Sequence, residues 1–69
     1  MDYSKLILKI REELLLSQKE LAEKMNVSFA TINRWENGHH DPTILSKRRI
    51  QKFCYSNGLK KTYDSLTKK

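Results

Sequence analysis

The sequence predicts an all-α domain of four or five helices. Apolar residues recur at the three- and four-residue spacing of amphipathic helices, whereas the alternation expected of half-buried strands is absent. Only two glycines and one proline interrupt the 69 residues, and no internal repeat or low-complexity segment occurs. A chain of this length forms one domain near the lower size limit for folding without disulfides or metals. Its core must therefore come from packing these helices together.

The first helix is predicted over Tyr3–Leu14, with Leu15 as an alternative last residue. Its apolar face is formed by Leu6, Ile7, Ile10 and Leu14. Its outer face is charged and carries Lys5, Lys9, Glu12 and Glu13. The first helix therefore packs one side against the core.

The second helix is predicted from Gln18 to Met25. Ser17 is a suitable N-cap, and Glu20 three residues later completes the Ser-x-x-Glu capping box. Its inward face consists of Leu21, Ala22 and Met25. Asn26 ends this helix, since asparagine tolerates the left-handed conformation that such an ending needs.

The third helix is predicted from Phe29 to Asn37, between a Ser28 cap and the stop at Gly38. Ile32 and Trp35 face inward, and the Trp35 ring is the largest single apolar contribution in the chain. A small, polar and basic stripe occupies the other side at i, i+3, i+4 and i+7: Ala30, Asn33, Arg34 and Asn37.

A fourth helix is predicted to open at Pro42, with Asp41 or Thr43 as its cap. The residues expected to face the core are Leu45, Ile50, Phe53 and Cys54. Asn57 and Gly58 end this helix, which lets Leu59 fold back towards Cys54. The residues after it show a thin apolar stripe at Leu59, Tyr63 and Leu66. That stripe fits a fifth helix, a dimer contact or a disordered basic tail.

The second and third helices, joined by a three-residue turn, have the form of a helix-turn-helix. A helix with its side chains is about 10–12 Å across, and the major groove of B-DNA is about 12 Å wide. Short outer side chains such as Ala30 let a protruding helix enter that groove. The segment resembles the lambda-repressor-like (Xre/Cro) helix-turn-helix family, and the matching residues are Ser17-Gln18, Leu21-Ala22, Val27-Ser28, Thr31-Ile32 and Arg34-Trp35-Glu36-Asn37-Gly38.

The resemblance covers about residues 3–58 and implies sequence-specific binding of double-stranded DNA by a transcriptional regulator of the repressor type. We therefore expect a DNA-binding domain over residues 1–58, followed by a basic tail or short fifth helix over 59–69. One recognition helix covers only a few base pairs, so useful specificity implies a dimer or a second domain, and we expect a homodimer. The candidate dimer face consists of Tyr55, Leu59, Tyr63 and Leu66.

The candidate base-reading residues are Ser28, Phe29, Ala30, Asn33 and Arg34. Arg34 can present its fork to guanine, and Asn33 can pair bidentately with adenine, while Ala30 can lie against thymine methyls. Phe29 departs from relatives, which often carry a polar or basic residue there. Its position is equally compatible with contact to a DNA base and with partial packing at the edge of the core.

The candidate phosphate contacts are Gln18, Thr31, Asn37, His39, His40, Lys47 and Arg48. Gln18 stands at a helix N-terminus, which favours an anion, and the corresponding residue of relatives touches a phosphate or a base edge. His39 and His40 lie in the loop after the third helix, where they can donate to a phosphate, more strongly when protonated.

The resemblance also implies an ion pair between Arg11 and Glu36, tying the first helix to the third. Relatives commonly pair an arginine at this place with the glutamate after the tryptophan. Leu15 departs from them, because relatives usually have glycine there to end the first helix. The exit from this helix is then either a regular extra turn or a strained one.

The formal charge of +6 is unevenly distributed along the chain. Residues 1–42 have a net charge of −1, and residues 43–69 have a net charge of +7. Phosphate attraction supplies most non-specific affinity for DNA, so we expect the C-terminal third to supply much of it. The exposed side of the fourth helix is strongly basic and contains Lys47, Arg48, Arg49 and Lys52.

Several other functions find no support in the sequence. No paired carboxylates, metal-ligand spacing, glycine-rich phosphate loop or nucleophile–base arrangement occurs, so we expect no enzyme, metal, cofactor or small-molecule ligand. The single cysteine, Cys54, and the lack of a long apolar run indicate a cytoplasmic protein that does not engage a membrane. The rival hypothesis is a protein-interaction module, such as an antitoxin or accessory factor, that uses the same fold.

Overall fold

The computed structural model describes residues 3–38 and 40–67, and this part of the chain forms five α-helices without a strand. They are α1 (Tyr3–Leu14), α2 (Gln18–Met25), α3 (Phe29–Asn37), α4 (Ile44–Ser56) and α5 (Lys60–Thr67). None of these helices is long and apolar enough to span a bilayer. The predicted all-α class is confirmed, and α2 and α3 have the predicted bounds.

The core lies where α1, α2 and α3 meet, and α4 and α5 close it from the other side. The buried apolar residues are Tyr3, Leu6, Ile7, Ile10, Leu21, Ala22, Met25, Ile32, Trp35, Ile50, Cys54 and Leu59. Burial raises the pKa of the Cys54 thiol to about 12, so this side chain is a small apolar core residue. Because α3 contributes Ile32 and Trp35 to this core, its position relative to α1 and α2 is fixed.

The helix ends are set by the caps that the sequence predicts. Ser17 Oγ accepts a hydrogen bond from Glu20 N (3.0 Å), and Glu20 Oε1 accepts one from Ser17 N (2.9 Å), which completes the capping box. Asn26 and Gly38 end α2 and α3 in the left-handed region, with φ of 57° and 74°. These residues satisfy the backbone groups left free at each helix end.

The turn after α1 is the strained one of the two alternatives. Leu15 has φ of 56°, and its side chain is 89% exposed. The turn is closed by a hydrogen bond from Leu16 N to Arg11 O (2.9 Å). A β-carbon in this conformation costs about 1–2 kcal/mol, and an exposed side chain recovers little of that by packing.

Replacing Leu15 with glycine is expected to raise the free energy of unfolding by about 0.5–1 kcal/mol, because relief of the left-handed strain exceeds the entropy that glycine adds to the unfolded chain. Urea denaturation of both proteins measures this difference. Leu15→Ala is the control, since alanine keeps the β-carbon and should leave stability near that of the wild type. Equal stability of the glycine and alanine variants would contradict the assignment of strain.

Helix α4 begins later than predicted and faces the core differently. Thr43 is its N-cap and accepts a hydrogen bond from Ser46 N (3.2 Å), while Pro42 precedes the helix and is buried. The prediction that Leu45 faces the core was wrong, because its side chain is 67% exposed. At 100° per residue, Leu45 lies about 140° around the helix from Ile50. The core-facing side of α4 instead continues from Ile50 to the half-buried Lys47, about one turn earlier.

Residues 60–67 form a helix, which is one of the three alternatives compatible with the sequence. Gly58, at φ of 73°, ends α4, and Leu59 N donates to Cys54 O (2.8 Å), as the predicted fold-back requires. Helix α5 then lies against α1, where Thr62 Oγ1 donates to the Glu13 carboxylate at 3.0 Å. Leu59 is buried, so its inclusion in a candidate dimer face was wrong.

Candidate nucleic-acid interface

The turn between α2 and α3 holds the two helices in a fixed relation. Ala22 lies almost fully buried on the inward face of α2, and Val27 N donates to Ala22 O at 3.0 Å. Asn26 reverses the chain in the left-handed conformation, so α2 and α3 are separate helices. Ile32 and Trp35 anchor the inner side of α3 in the core. The outer side of α3 is thereby presented on a rigid support.

The outer side of α3 carries the exposed stripe that the sequence predicts. We call Ala30, Asn33, Arg34 and Asn37 the recognition stripe, and all four are exposed. Phe29 is 53% exposed at the first position of the helix, so it is a surface residue beside the stripe and contributes nothing to the buried core. The stripe therefore combines a small residue with hydrogen-bonding and cationic groups on one accessible helix face.

Two further candidate contact residues, Ser28 and Thr31, form hydrogen bonds with each other at the start of α3. Ser28 Oγ accepts a hydrogen bond from Thr31 N (3.1 Å) and shares another with Thr31 Oγ1 (2.8 Å). Both residues therefore fix the first turn of the helix. Each hydroxyl retains capacity for at least one more hydrogen bond, so this capping does not prevent contact with a ligand.

A network of three side chains joins α1, α2 and α3 at the base of the candidate interface. Arg11 Nε donates to Glu36 Oε2 at 2.6 Å, and Arg11 Nη2 donates to Glu36 Oε1 at 2.9 Å. This is the bidentate ion pair that the resemblance implied. Gln18 Nε2 donates to the same Glu36 Oε1 at 3.1 Å. The Gln18 amide thus touches the network, at the N-terminus of α2.

The charges in this network stabilise each other. Burial alone would raise the pKa of the Glu36 carboxyl, but hydrogen bonds from Arg11 and Gln18 hold that pKa below its ordinary value. The hydrogen bond to Glu36 correspondingly raises the pKa of Arg11. Glu36 is therefore ionised at neutral pH, and it fixes α3 to α1 from a half-buried position.

The lowered pKa of Glu36 predicts a defined loss of stability in acid. The ionised carboxylate stabilises the folded state fully above its ordinary pKa of 4.5, and this contribution is lost as the pH falls through the lower folded-state pKa. Thermal unfolding of the wild type and Glu36→Gln across this acid range measures it. Their midpoints should converge as the pH falls, and a constant difference would contradict this role for Glu36.

The remaining candidate phosphate contacts follow α3 in sequence, in the loop after it and on α4. His40 and Arg48 are exposed, whereas His39 lies outside the described residues. Lys47 is half-buried, and its ammonium stands over the Tyr3 ring, 5.3 Å from the ring centroid. Burial raises the pKa of Tyr3 to about 12, so this ring stays neutral and can hold the cation.

Tyr3 is a supporting residue that sequence reasoning missed. It was assigned only to the first helix, 44 positions before Lys47, and no local pattern connects the two residues. The basic residues of α4 also separate into two groups. Lys47 flanks the core on the α1 side, whereas Arg49 and Lys52 lie about half a turn away, beside the end of α2.

The part of the chain that the structure describes contains no group of three or more histidine, cysteine or acidic side chains placed to hold a metal ion. The candidate interface contains amide, hydroxyl and cationic groups, together with the small side chain of Ala30. These are the groups that recognise phosphates and base edges.

Comparison with known protein families identifies a matching family. The model of the family described as helix-turn-helix matches residues 7–53, about two thirds of the chain. The matched region contains α2, the turn and α3, together with both partners of the Arg11–Glu36 ion pair. Comparisons with curated proteins and with solved structures give no match.

Proposed function

The chain belongs to the lambda-repressor-like (Xre/Cro) helix-turn-helix family of DNA-binding domains, and from this membership we propose that it is a sequence-specific, repressor-type transcriptional regulator acting in the cytoplasm. It inserts α3 into the major groove of double-stranded DNA. Occupancy of an operator then blocks other proteins from that site.

The observation that carries this proposal is the exposed recognition stripe on a helix whose other side is buried. Arg34 presents a planar fork to guanine O6 and N7, and Asn33 presents an amide to adenine N6 and N7. Ala30 and Phe29 supply apolar surface for thymine methyl groups, and Ser28 offers its remaining hydrogen-bonding capacity at the end of α3. These five residues read base edges.

Phosphate contacts orient α3 in the groove. Gln18 and the free N–H groups at the start of α2 meet one phosphate, while Thr31 and Asn37 meet others beside the recognition stripe. The proposed phosphate contacts also include Lys47, Arg48 and His40, together with His39, which lies outside the described residues. The Lys47 ammonium stands over the Tyr3 ring and carries three N–H donors, so those that do not face the ring remain able to bind a phosphate.

Replacing both Lys47 and Arg48 with glutamine is expected to reduce the slope of log affinity against log salt by about two, since each phosphate contact contributes about one. Binding to one duplex measured at several salt concentrations gives this slope. Arg49→Gln/Lys52→Gln is the matched control, and it should change the slope much less. A larger change of slope in the control would place the phosphate contacts at Arg49 and Lys52 and would contradict the roles proposed for Lys47 and Arg48.

The regulator acts as a homodimer on a pseudo-palindromic site with half-sites about 34–36 Å apart. The surface proposed for dimerisation contains Tyr55, Tyr63 and Leu66, which are exposed or half-buried on α4 and α5. The Tyr55 and Tyr63 rings pack edge to face with centroids 5.8 Å apart, so this surface contains a packed pair of aromatic rings.

Selection of bound sequences from random duplex DNA, with the mass of the complex measured in solution, tests this function. The expected outcome is a pseudo-palindromic motif bound by two protein chains. Recovery of no preferred sequence under salt conditions that suppress non-specific binding would contradict sequence-specific regulation. Binding of one chain to a single short motif would contradict the dimer alone.

A further inference from the structure

A concave surface lies between the end of α2 and the outer side of α4. We call it the α2–α4 groove, and it encloses about 330 Å³. It is lined by Lys24, Met25, Arg49, Lys52, Phe53 and Ser56. This volume is at the lower end of the range for ligand pockets, roughly 300–1,000 Å³.

The charge of the α2–α4 groove is strongly one-sided. Lys24, Arg49 and Lys52 are exposed at its rim, and no described acidic residue lines it. None of the three cations forms an ion pair with a residue in 3–38 or 40–67. Three positive charges without an ion-pair partner in this part of the chain converge on one concavity and attract an anionic partner.

The floor of the α2–α4 groove is apolar. Met25 is buried beneath it, and the half-buried Phe53 packs against the core beside it. A partner that carried charge alone would leave this apolar surface in water. The groove therefore suits a partner that combines negative charge with an apolar side chain.

The α2–α4 groove is separate from the surface proposed to bind DNA. Gln18 at the start of α2 contacts Glu36 of α3, whereas Met25 lies seven residues further, about 10 Å along the helix axis. On α4, Arg49 and Lys52 lie about half a turn from Lys47. A partner in this groove would leave the recognition stripe exposed.

The helix ends at the groove distinguish between kinds of anion. Met25 is the last residue of α2 and Ser56 is the last residue of α4, so both helices direct carbonyl oxygens towards this end of the molecule. The negative ends of two helix dipoles disfavour any anion placed directly at them, and most strongly a compact dianion such as phosphate, which helix N-termini bind. Carboxylates spaced along an extended segment can instead each meet a cation at the rim.

From this charge pattern and apolar floor, we propose that the α2–α4 groove binds an acidic peptide segment of a partner protein. Carboxylates of the segment pair with Lys24, Arg49 and Lys52, and a leucine or phenylalanine between them covers Met25 and Phe53. This inference goes beyond the proposed DNA binding, because it assigns a protein partner to a surface that the recognition helix does not use.

Fluorescence anisotropy with a synthetic peptide tests this site in the full chain. The probe is a fluorescein-labelled peptide in which leucine and phenylalanine alternate with pairs of aspartate and glutamate. The variant Lys24→Gln/Arg49→Gln/Lys52→Gln should bind it about tenfold more weakly than the wild type, from the loss of three cations at one site. All three side chains are exposed, and circular dichroism checks that the variant remains folded.

The matched control is Lys9→Gln/Lys60→Gln/Lys61→Gln, which removes the same charge from other exposed positions. It should change peptide affinity by less than about twofold, because distant surface charges are screened by salt. Equal losses of peptide affinity in both triple variants would show that the net charge of the protein alone attracts the peptide. This result would overturn the proposal. A second probe, with serine in place of each leucine and phenylalanine, should bind several-fold more weakly.

Two other occupants are outcomes of the same experiment. Inorganic pyrophosphate that displaced the peptide at submillimolar concentration would identify a phosphate site and overturn the peptide assignment. A random-sequence duplex that lost affinity for the groove variant as strongly as the peptide did would make the groove part of the nucleic-acid surface. Peptide binding that persists on the protein bound to its selected duplex is the supporting result, because both surfaces are then occupied together.

Discussion

Arg34→Ala is expected to weaken binding to the selected operator by about 1–3 kcal/mol, or roughly 5- to 150-fold. Arg34 is exposed on the recognition stripe, and its guanidinium fork matches the two acceptors of guanine in the major groove. Loss of the fork leaves those acceptors without donors at one base-pair position. The change should therefore relax specificity at that position more than it lowers affinity for random duplex.

Quantitative gel shift with the operator and with a scrambled duplex of equal length measures both affinities. Arg48→Ala is the matched control, because Arg48 is also exposed but is proposed to contact a phosphate. That variant should lose similar affinity for both duplexes. If Arg34→Ala behaves in the same way, then Arg34 is a phosphate contact and its role as a base reader is rejected.

Glu36→Ala is expected to lower the free energy of unfolding by about 2–3 kcal/mol and the melting temperature by roughly 10–20 °C. The substitution leaves the Arg11 guanidinium and the Gln18 amide without their shared acceptor. Removal of one partner from a fully buried pair costs about 3–5 kcal/mol. The effect here should be smaller, because the Arg11 and Glu36 side chains are 22% and 10% exposed.

Thermal unfolding followed by circular dichroism measures this loss. Glu23→Ala is the control, since Glu23 is exposed on α2 and should change stability by less than about 0.5 kcal/mol. The double variant Arg11→Met/Glu36→Leu should recover much of the lost stability, because it removes both charges together. If Glu36→Ala is as stable as the control, the ion pair does not hold α3 to α1.

The helices with the strongest local signals were predictable from sequence. Helices α2 and α3 are bounded by capping residues whose chemistry specifies where a helix starts and stops, such as the Ser17–Glu20 box and Gly38. The exposed side of α3 followed from the positions of Ile32 and Trp35, because the helical repeat fixes the opposite face. Local chemistry and helical periodicity therefore specified the candidate site.

Helix α4 was harder to place because its pattern is ambiguous. Leu45 is apolar and Lys47 is charged, so hydropathy alone predicts that Leu45 faces the core and that Lys47 is exposed. The structure shows the opposite order of burial. Packing with α1 decides the matter, since the Lys47 stem flanks the core while its ammonium reaches the Tyr3 ring. Contacts between residues 44 positions apart leave no signal in a local sequence pattern.

The α2–α4 groove was invisible in the sequence for the same reason. Lys24 and Arg49 are 25 positions apart, and each looks like an ordinary residue on a solvated helix face. Only the packing of α4 beside the end of α2 brings their charges to one concavity. The excess of positive charge in the C-terminal third is evident from the sequence, but the fold determines on which surface these charges lie.

Nuclear magnetic resonance mapping of the ¹⁵N-labelled protein during titration with its selected duplex tests whether α3 enters the major groove. We expect the largest shift changes on residues 29–37, on the Arg34 Nε–H group and on the Gln18 amide at the start of α2. Shift changes concentrated on α5 or in the α2–α4 groove, with residues 29–37 unaffected, would contradict major-groove reading by α3.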